Sequence, residues 1–86
     1  MKFGYIAYGK MNPELMGSPE ERKKEMDRVK EEAKKLGFEL MYWGHPYGLS
    51  ENIVLVFKSD KTLDAYHNMN IGLPLSDTRT NIIVIP

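Results

Sequence analysis

The stretch Phe38–Phe57, FELMYWGHPYGLSENIVLVF, has the pattern of one β-hairpin and decides the fold of this 86-residue chain. Two apolar runs, Phe38–Trp43 and Ile53–Phe57, flank a segment rich in Gly, Pro, Ser and Asn. Such residues end strands because Gly accepts positive φ angles and Pro lacks a backbone N–H. We therefore expect strands over about 38–45 and 52–58, joined by a protruding loop.

Both faces of these strands carry apolar residues. Successive side chains of a strand point to opposite faces, so Met41, Trp43 and His45 are expected on one face. Leu40 and Tyr42 are expected on the other face. A half-solvated antiparallel sheet would instead alternate apolar with polar residues. The pattern therefore predicts that something packs on each face of the sheet.

Local signals place the elements before the hairpin. Lys2–Tyr8 has the pattern of a first strand, near residues 2–9, and a loop is expected over residues 9–17. Ser18 as N-cap, with Pro19 next and Glu21 closing a capping box, predicts a helix start at this point.

This first helix is expected over about 19–36, where Gly37 would end it. A second helix is expected over about 60–70, capped by Ser59 or Asp60. A last strand, apolar on both faces, is expected near residues 80–86, within about two to four residues.

The resulting order, β-α-β-β-α-β, is the ferredoxin-like arrangement in a single α+β domain over residues 1–86. Right-handed crossovers place both helices on one face of the antiparallel sheet. The other face is apolar and uncovered, and soluble monomers rarely expose so large a patch. We therefore predict that the chain pairs sheet to sheet as a homodimer or a higher even oligomer.

Composition bounds the function. Lysine plus arginine equal aspartate plus glutamate at 12 each, which argues against a nucleic-acid binder that neutralises phosphates. The chain has no cysteine, and therefore no thiolate metal site. No apolar run approaches the length of a membrane span, and the N-terminal stretch lacks a signal-peptide pattern. We expect a cytoplasmic protein without membrane or nucleic-acid partners.

The segment from Glu51 to Ile85 carries a family resemblance. A strand (NIVLVF), an acidic-capped helix (SDKTLDAYHNM), a Leu-Pro loop and a Thr-flanked last strand follow one another. This order resembles the second half of dimeric α/β-barrel proteins, and in part the effector-binding domains of Lrp/AsnC regulators. The superfamily also contains small monooxygenases, muconolactone-isomerase-like enzymes, haem-degrading enzymes and polyketide cyclases. The resemblance implies a ligand between sheet and helices or at a dimer interface, without implying a chemistry.

His45 is the strongest candidate for chemistry because an imidazole titrates near neutral pH. Tyr47 lies close to it in sequence and could orient a substrate oxygen as a second catalytic residue. If Trp43 and His45 point toward the helices, they would converge with Tyr66 and His67 in a small apolar pocket. Amphipathic aromatic side chains suit a pocket wall. The predicted ligand-binding residues are Tyr8, Tyr42, Trp43, Tyr66 and His67.

The two histidines lack metal-ligand spacing, so no metal site and no cofactor are predicted. Two functions remain open at this point. One is a non-catalytic binding or assembly module that closes a dimer around a small aromatic or apolar ligand. The other is a cofactor-independent enzyme, such as a cyclase, isomerase or monooxygenase, that uses His45 and nearby tyrosines. The absence of a recognisable acid–base pair favours the module.

Overall fold

The computed structural model describes residues 2–86, apart from the side chain of Leu15. Its centre is a four-stranded, fully antiparallel sheet with the strand order β2-β3-β1-β4. The predicted β-α-β-β-α-β order and ferredoxin-like α+β fold are confirmed. The strands are β1 Lys2–Lys10, β2 Glu39–Gly44, β3 Ile53–Ser59 and β4 Ser76–Ile85.

Three helices connect the strands: α1 Pro13–Gly17, α2 Pro19–Lys35 and α3 Leu63–Asn70. The first of them corrects the sequence analysis, which placed a loop over residues 9–17. Asn12 starts α1 because its side-chain Oδ1 accepts the N–H of Glu14 at 2.8 Å. Pro13 then occupies the first helical position, where no N–H is needed. Asn12 and Pro13 therefore start a short helix within the segment that was expected to be a loop.

Helix α2 begins and ends close to the predicted residues. The Oγ of Ser18 accepts the N–H of Glu21 at 3.3 Å, which confirms the predicted cap. The return bond of the predicted capping box, from the N–H of Ser18 to the carboxylate of Glu21, is not formed within residues 2–86. That carboxylate lies 3.8 Å from Nζ of Lys24 instead. At the other end Gly37 has a φ of +88°, and the N–H groups of Gly37 and Phe38 bond back to carbonyls of the last turn at 3.1 and 2.9 Å. This is the Schellman pattern that glycine favours.

Helix α3 begins later than predicted, at Leu63, with Thr62 as a cap that makes no side-chain hydrogen bond. The expected cap Ser59 has another role. Its Oγ donates to the carbonyl of Gly37 at 2.7 Å and accepts the N–H of Lys61 at 2.9 Å. Ser59 therefore ties the end of β3 to the turn after α2 instead of starting a helix.

Strand β2 contains a β-bulge that the sequence analysis did not foresee. Leu40 pairs with Phe57, yet Tyr42 pairs with Val56, so Met41 is the extra residue. A bulge reverses the alternation of side chains after it. Leu40 and Tyr42 therefore lie on opposite faces, which corrects the expectation that they share one.

The core lies between the helices and the face of the sheet that carries Tyr5, Ala7 and Leu55. We call this the helix face. The side chains between them on β1 and β3 are only half-buried, so the burial alternates along both strands. The helices contribute Met26, Val29, Ala33, Tyr66 and Met69 to this core. No helix within residues 2–86 is long and apolar enough to cross a membrane.

Candidate functional site

The face of the sheet opposite the helices is apolar, and no helix within residues 2–86 covers it. We call it the open face. The pairing of the strands identifies the residues of this face, because residues that lie directly opposite each other on neighbouring strands point to the same side of the sheet. Tyr42 is 67% exposed and Ile83 is 51% exposed on this face. The apolar side chains of the open face are Ile6, Tyr8, Tyr42, Val54, Val56, Ile83 and Ile85, and its charged members at the ends of the strands include Lys2, Glu39, Lys58 and Arg79.

A charged cluster bounds the open face at the end near the hairpin loop. Nε of Arg79 donates to Oε2 of Glu51 at 2.6 Å, and the side chain of Glu51 is only 10% exposed. The guanidinium of Arg79 also lies 4.2 Å from the ring centroid of Tyr8. Hydrogen bonding from Arg79 lowers the pKa of the Glu51 carboxyl below its usual value. One guanidinium therefore holds both an aromatic ring and a carboxylate.

The hairpin brings Trp43 and His45 together. Their rings meet edge to face with centroids 5.9 Å apart, and Trp43 packs against the core. Nδ1 of His45 lies 3.1 Å from the carbonyl oxygen of Asn52, and this nitrogen donates because a carbonyl only accepts. Tyr47 is fully exposed at the tip of the loop. The structure therefore orients His45 but gives Tyr47 no position beside it.

Tyr66 lies inside the core instead of in a pocket with His45. Its ring stacks on Tyr5 with centroids 4.4 Å apart, and its hydroxyl is hydrogen-bonded to that of Thr80 at 2.7 Å. Burial raises the pKa of Tyr66 above the usual tyrosine value. His67 is exposed, with its ring centroid 6.4 Å from that of Tyr66. Within residues 2–86 the aromatic neighbours of Tyr66 do not include Trp43 or His45. The structure therefore does not bring these residues together in one pocket.

Three cavities within residues 2–86 have walls that do not include His45, Tyr47, Tyr66 or His67. One of about 260 Å³ lies beside β2, and its walls include Tyr42 and Trp43. A second, of about 150 Å³, lies between α2 and α3. In the described part of the chain, no three His, Asp or Glu side chains are close enough to hold a metal ion.

The third cavity, of about 390 Å³, lies at the opposite end of the hairpin from its loop. We call it the lysine cavity. Phe38 and Leu40 are among its lining residues, and both are largely buried. Its charged walls are Lys2, Lys30, Lys34, Lys58, Glu39 and Asp60.

Sequence reasoning missed both charged groups. Arg79 was excluded because the last strand was predicted to begin near residue 80, about four residues after Ser76, where β4 begins. Alternation from Ile83 would otherwise have placed Arg79 on the open face. The lysines of the cavity come from β1, α2 and β3. Among them, the spacing of Lys30 and Lys34 was a usable signal, because residues four apart lie on one side of a helix.

No family model matches the chain, and no curated protein is similar to it. A double-mutant chlorite dismutase from Candidatus Nitrospira defluvii is similar in structure, with a TM-score of 0.57 and 16% identity. The match covers 99% of this chain and 41% of that one, so the chain spans about two-fifths of the length of that protein. An identity this low shows the fold alone. The shared fold is the ferredoxin-like α+β fold. The predicted superfamily resemblance is thereby confirmed at the level of fold.

Proposed function

We propose that the chain is a non-catalytic binding module that works as a homodimer, with the open faces of two copies packed together. The observation that carries this proposal is the apolar open face. Its aliphatic and aromatic side chains come from all four strands, and burial of such surface contributes roughly 25 cal/mol per Å². A small domain gains proportionately more from such burial, because it buries little surface on its own.

The charged cluster at the end of this face is compatible with burial in a dimer. A buried charge is costly when it lacks a partner. Arg79 is already hydrogen-bonded to Glu51 and lies over the ring of Tyr8 within one chain. The cluster therefore gives the interface a polar rim that needs no partner from the second copy.

The oligomeric state tests this proposal. Light scattering at micromolar concentration is expected to give twice the chain mass. Ile83→Asp and Val84→Asp form a matched pair, because the two residues are neighbours on β4, 51% and 53% exposed, on opposite faces. We expect Ile83→Asp to give monomers and Val84→Asp to leave the dimer intact. A monomeric wild type, or dissociation by Val84→Asp alone, would contradict the proposed interface.

Ligand binding is the second half of the proposed function, and the lysine cavity supports it. The lysine cavity, at about 390 Å³, falls within the range of about 300–1,000 Å³ that is usual for small-molecule sites. Proteins of known structure with this fold include a chlorite dismutase, but no substrate is carried over from it at this identity.

The alternative is an enzyme that uses His45. Its support is the fixed orientation of the imidazole, held by Trp43 and the carbonyl of Asn52. The full exposure of Tyr47 and the position of the cavities away from His45 favour the module instead. A thermal-stability screen of small aromatic acids separates the two, with wild type compared to His45→Ala. Stabilisation that His45→Ala abolishes would favour the enzyme.

A further inference from the structure

We infer that the lysine cavity is a binding site for compact organic anions, such as carboxylates with a small apolar body. This inference rests on the ligand-binding half of the proposed function. Four lysines against two carboxylates leave an excess of two positive charges on the cavity walls. Within residues 2–86, none of these six side chains takes part in an ion pair.

The cavity collects its lysines from three different elements. Lys2 belongs to β1 and Lys58 to the neighbouring strand β3, where Lys58 pairs in register with Gly4. Lys30 and Lys34 are one helical turn apart on α2 and therefore lie on the same side of it. Lysines on a single helix face would be an ordinary solvated stripe. By register Lys2 and Lys58 belong to the open face, whereas Lys30 and Lys34 belong to α2, so the cavity lies at the end of the sheet where its two sides meet. Lysines contributed from both sides of one cavity raise the local concentration of anions.

The floor of the cavity is fixed by hydrogen bonds. Ser59 joins Gly37 to Lys61, with bonds of 2.7 and 2.9 Å, so the turn after α2 is fastened to the end of β3. Phe38, 1% exposed, is the apolar part of this floor. A site whose walls keep their positions loses less entropy when a ligand binds.

The end of α2 does not oppose an anion as strongly as a bare helix C-terminus would. Free carbonyls at a helix C-terminus carry partial negative charge. Here the N–H groups of Gly37 and Phe38 occupy the carbonyls of Lys34 and Ala33, respectively. Lys34 adds positive charge to the same turn, while Lys35 is paired with Glu32 at 3.4 Å. The electrostatic balance at the cavity therefore favours a negative ligand.

Benzoate and its neutral isostere benzamide test this inference by NMR titration of the 15N-labelled full chain. We expect benzoate to shift the amide signals of Gly37, Phe38 and Ser59, with binding that weakens as salt rises. Benzamide is expected to bind at least about fivefold more weakly, since it lacks the charge–charge attraction. Inorganic phosphate is the third probe, and its expected binding is weaker than that of benzoate because it has no apolar body to place on Phe38.

Two matched double variants test whether the lysines of the cavity attract the anion. Lys30→Gln/Lys34→Gln removes two cavity lysines, whereas Lys23→Gln/Lys24→Gln removes two lysines of the same helix outside the cavity. All four side chains are exposed, so both variants should melt close to wild type. The first variant should weaken benzoate binding by roughly fivefold and the second should leave it unchanged.

The outcomes separate this inference from the proposed function. If benzamide shifts the same amides as strongly as benzoate, the cavity binds ligands but is not selective for anions, and the inference is wrong. If phosphate binds as tightly as benzoate, the apolar floor has no role and the ligand class is wrong. If no probe shifts these amides at millimolar concentration, ligand binding at this cavity fails as well. The dimer is judged separately by its mass.

Discussion

Tyr5 and Tyr66 stack face to face at the centre of the core, with ring planes 5° apart and centroids 4.4 Å apart. Each hydroxyl has a partner at 2.7 Å, the carbonyl of Lys61 for Tyr5 and the hydroxyl of Thr80 for Tyr66. The stack joins β1 to α3, and the two hydrogen bonds fix the start of α3 and the strand β4 to it. This pair of rings is therefore one direct attachment of α3 to the sheet.

Two substitutions at Tyr66 should distinguish the contribution of its ring to stability from that of its hydroxyl. Tyr66→Phe keeps the stack but leaves the hydroxyl of Thr80 without its partner, at a cost of about 1 kcal/mol in unfolding free energy. Tyr66→Ala removes a buried ring and should cost about 3–5 kcal/mol. Urea unfolding followed by circular dichroism measures both. Equal losses for the two variants would show that the stack contributes nothing.

Stability should fall at alkaline pH. Burial raises the pKa of Tyr66 in the folded chain, while an unfolded tyrosine titrates near pH 10. A raised folded pKa means that the stabilisation is complete below about pH 10 and is lost as pH rises through the folded pKa. Burial raises the pKa of Tyr5 in the same direction. The melting temperature measured from pH 8 to pH 11 should decline less steeply in Tyr66→Phe than in wild type; parallel curves would assign the decline to other groups.

At acidic pH the pair Glu51–Arg79 predicts the opposite trend. Hydrogen bonding from Arg79 lowers the folded pKa of Glu51, so its stabilisation is present above the unfolded pKa of about 4.3. That stabilisation is lost as pH falls through the lower folded value. Glu51→Gln should flatten this part of the stability curve, and Arg79→Met should do the same. A curve unchanged by either variant would show that the hydrogen bond does not persist in solution.

Gly37 should tolerate no side chain. Its φ of +88° disfavours any L-residue, and a Cβ there would lie 2.9 Å from Cε of Lys61. Gly37→Ala should therefore destabilise the chain by about 1–2 kcal/mol. Gly17→Ala is the control, because a Cβ at Gly17 meets no atom within 4 Å. We expect the control to be neutral in thermal melts, and an equal loss at both positions would contradict the role assigned to the turn.

The neighbours Tyr42 and Trp43 should respond differently to truncation. Trp43 packs against the core, whereas Tyr42 is 67% exposed on the open face. Trp43→Ala should lower the unfolding free energy by about 3 kcal/mol. Tyr42→Ala should change it little in the monomer but weaken the proposed dimer. Urea unfolding at several protein concentrations distinguishes these effects, and a concentration-independent loss for Tyr42→Ala would argue against its place at an interface.

The sequence predicted the fold well because its signals are local. The cap at Ser18, the stop at Gly37 and the two-sided apolar strands each depend on neighbouring residues only. The start of α3 was misplaced because Ser59 finds a long-range partner in Gly37, and no local pattern shows that partner.

The site was harder to predict, because periodicity shows which residues share a face but not what lies opposite them. Tyr66 was expected to line a pocket, yet Tyr5, some sixty residues earlier in the chain, fills the space against its ring. The lysine cavity depends on how β1, α2 and β3 end beside one another, which is a property of the assembled fold. The catalytic role predicted for His45 and Tyr47 stays a prediction.

The bulge at Met41 has a consequence for comparing this chain with others of the same fold. A relative whose second strand is regular has one residue fewer between the positions that match Leu40 and Trp43. Its alignment to this chain needs a single-residue gap at Met41. Without that gap, Tyr42 would be equated with a core position and Trp43 with a surface one. Substitutions at Tyr42 would then be interpreted as changes in the core, and substitutions at Trp43 as changes at the surface.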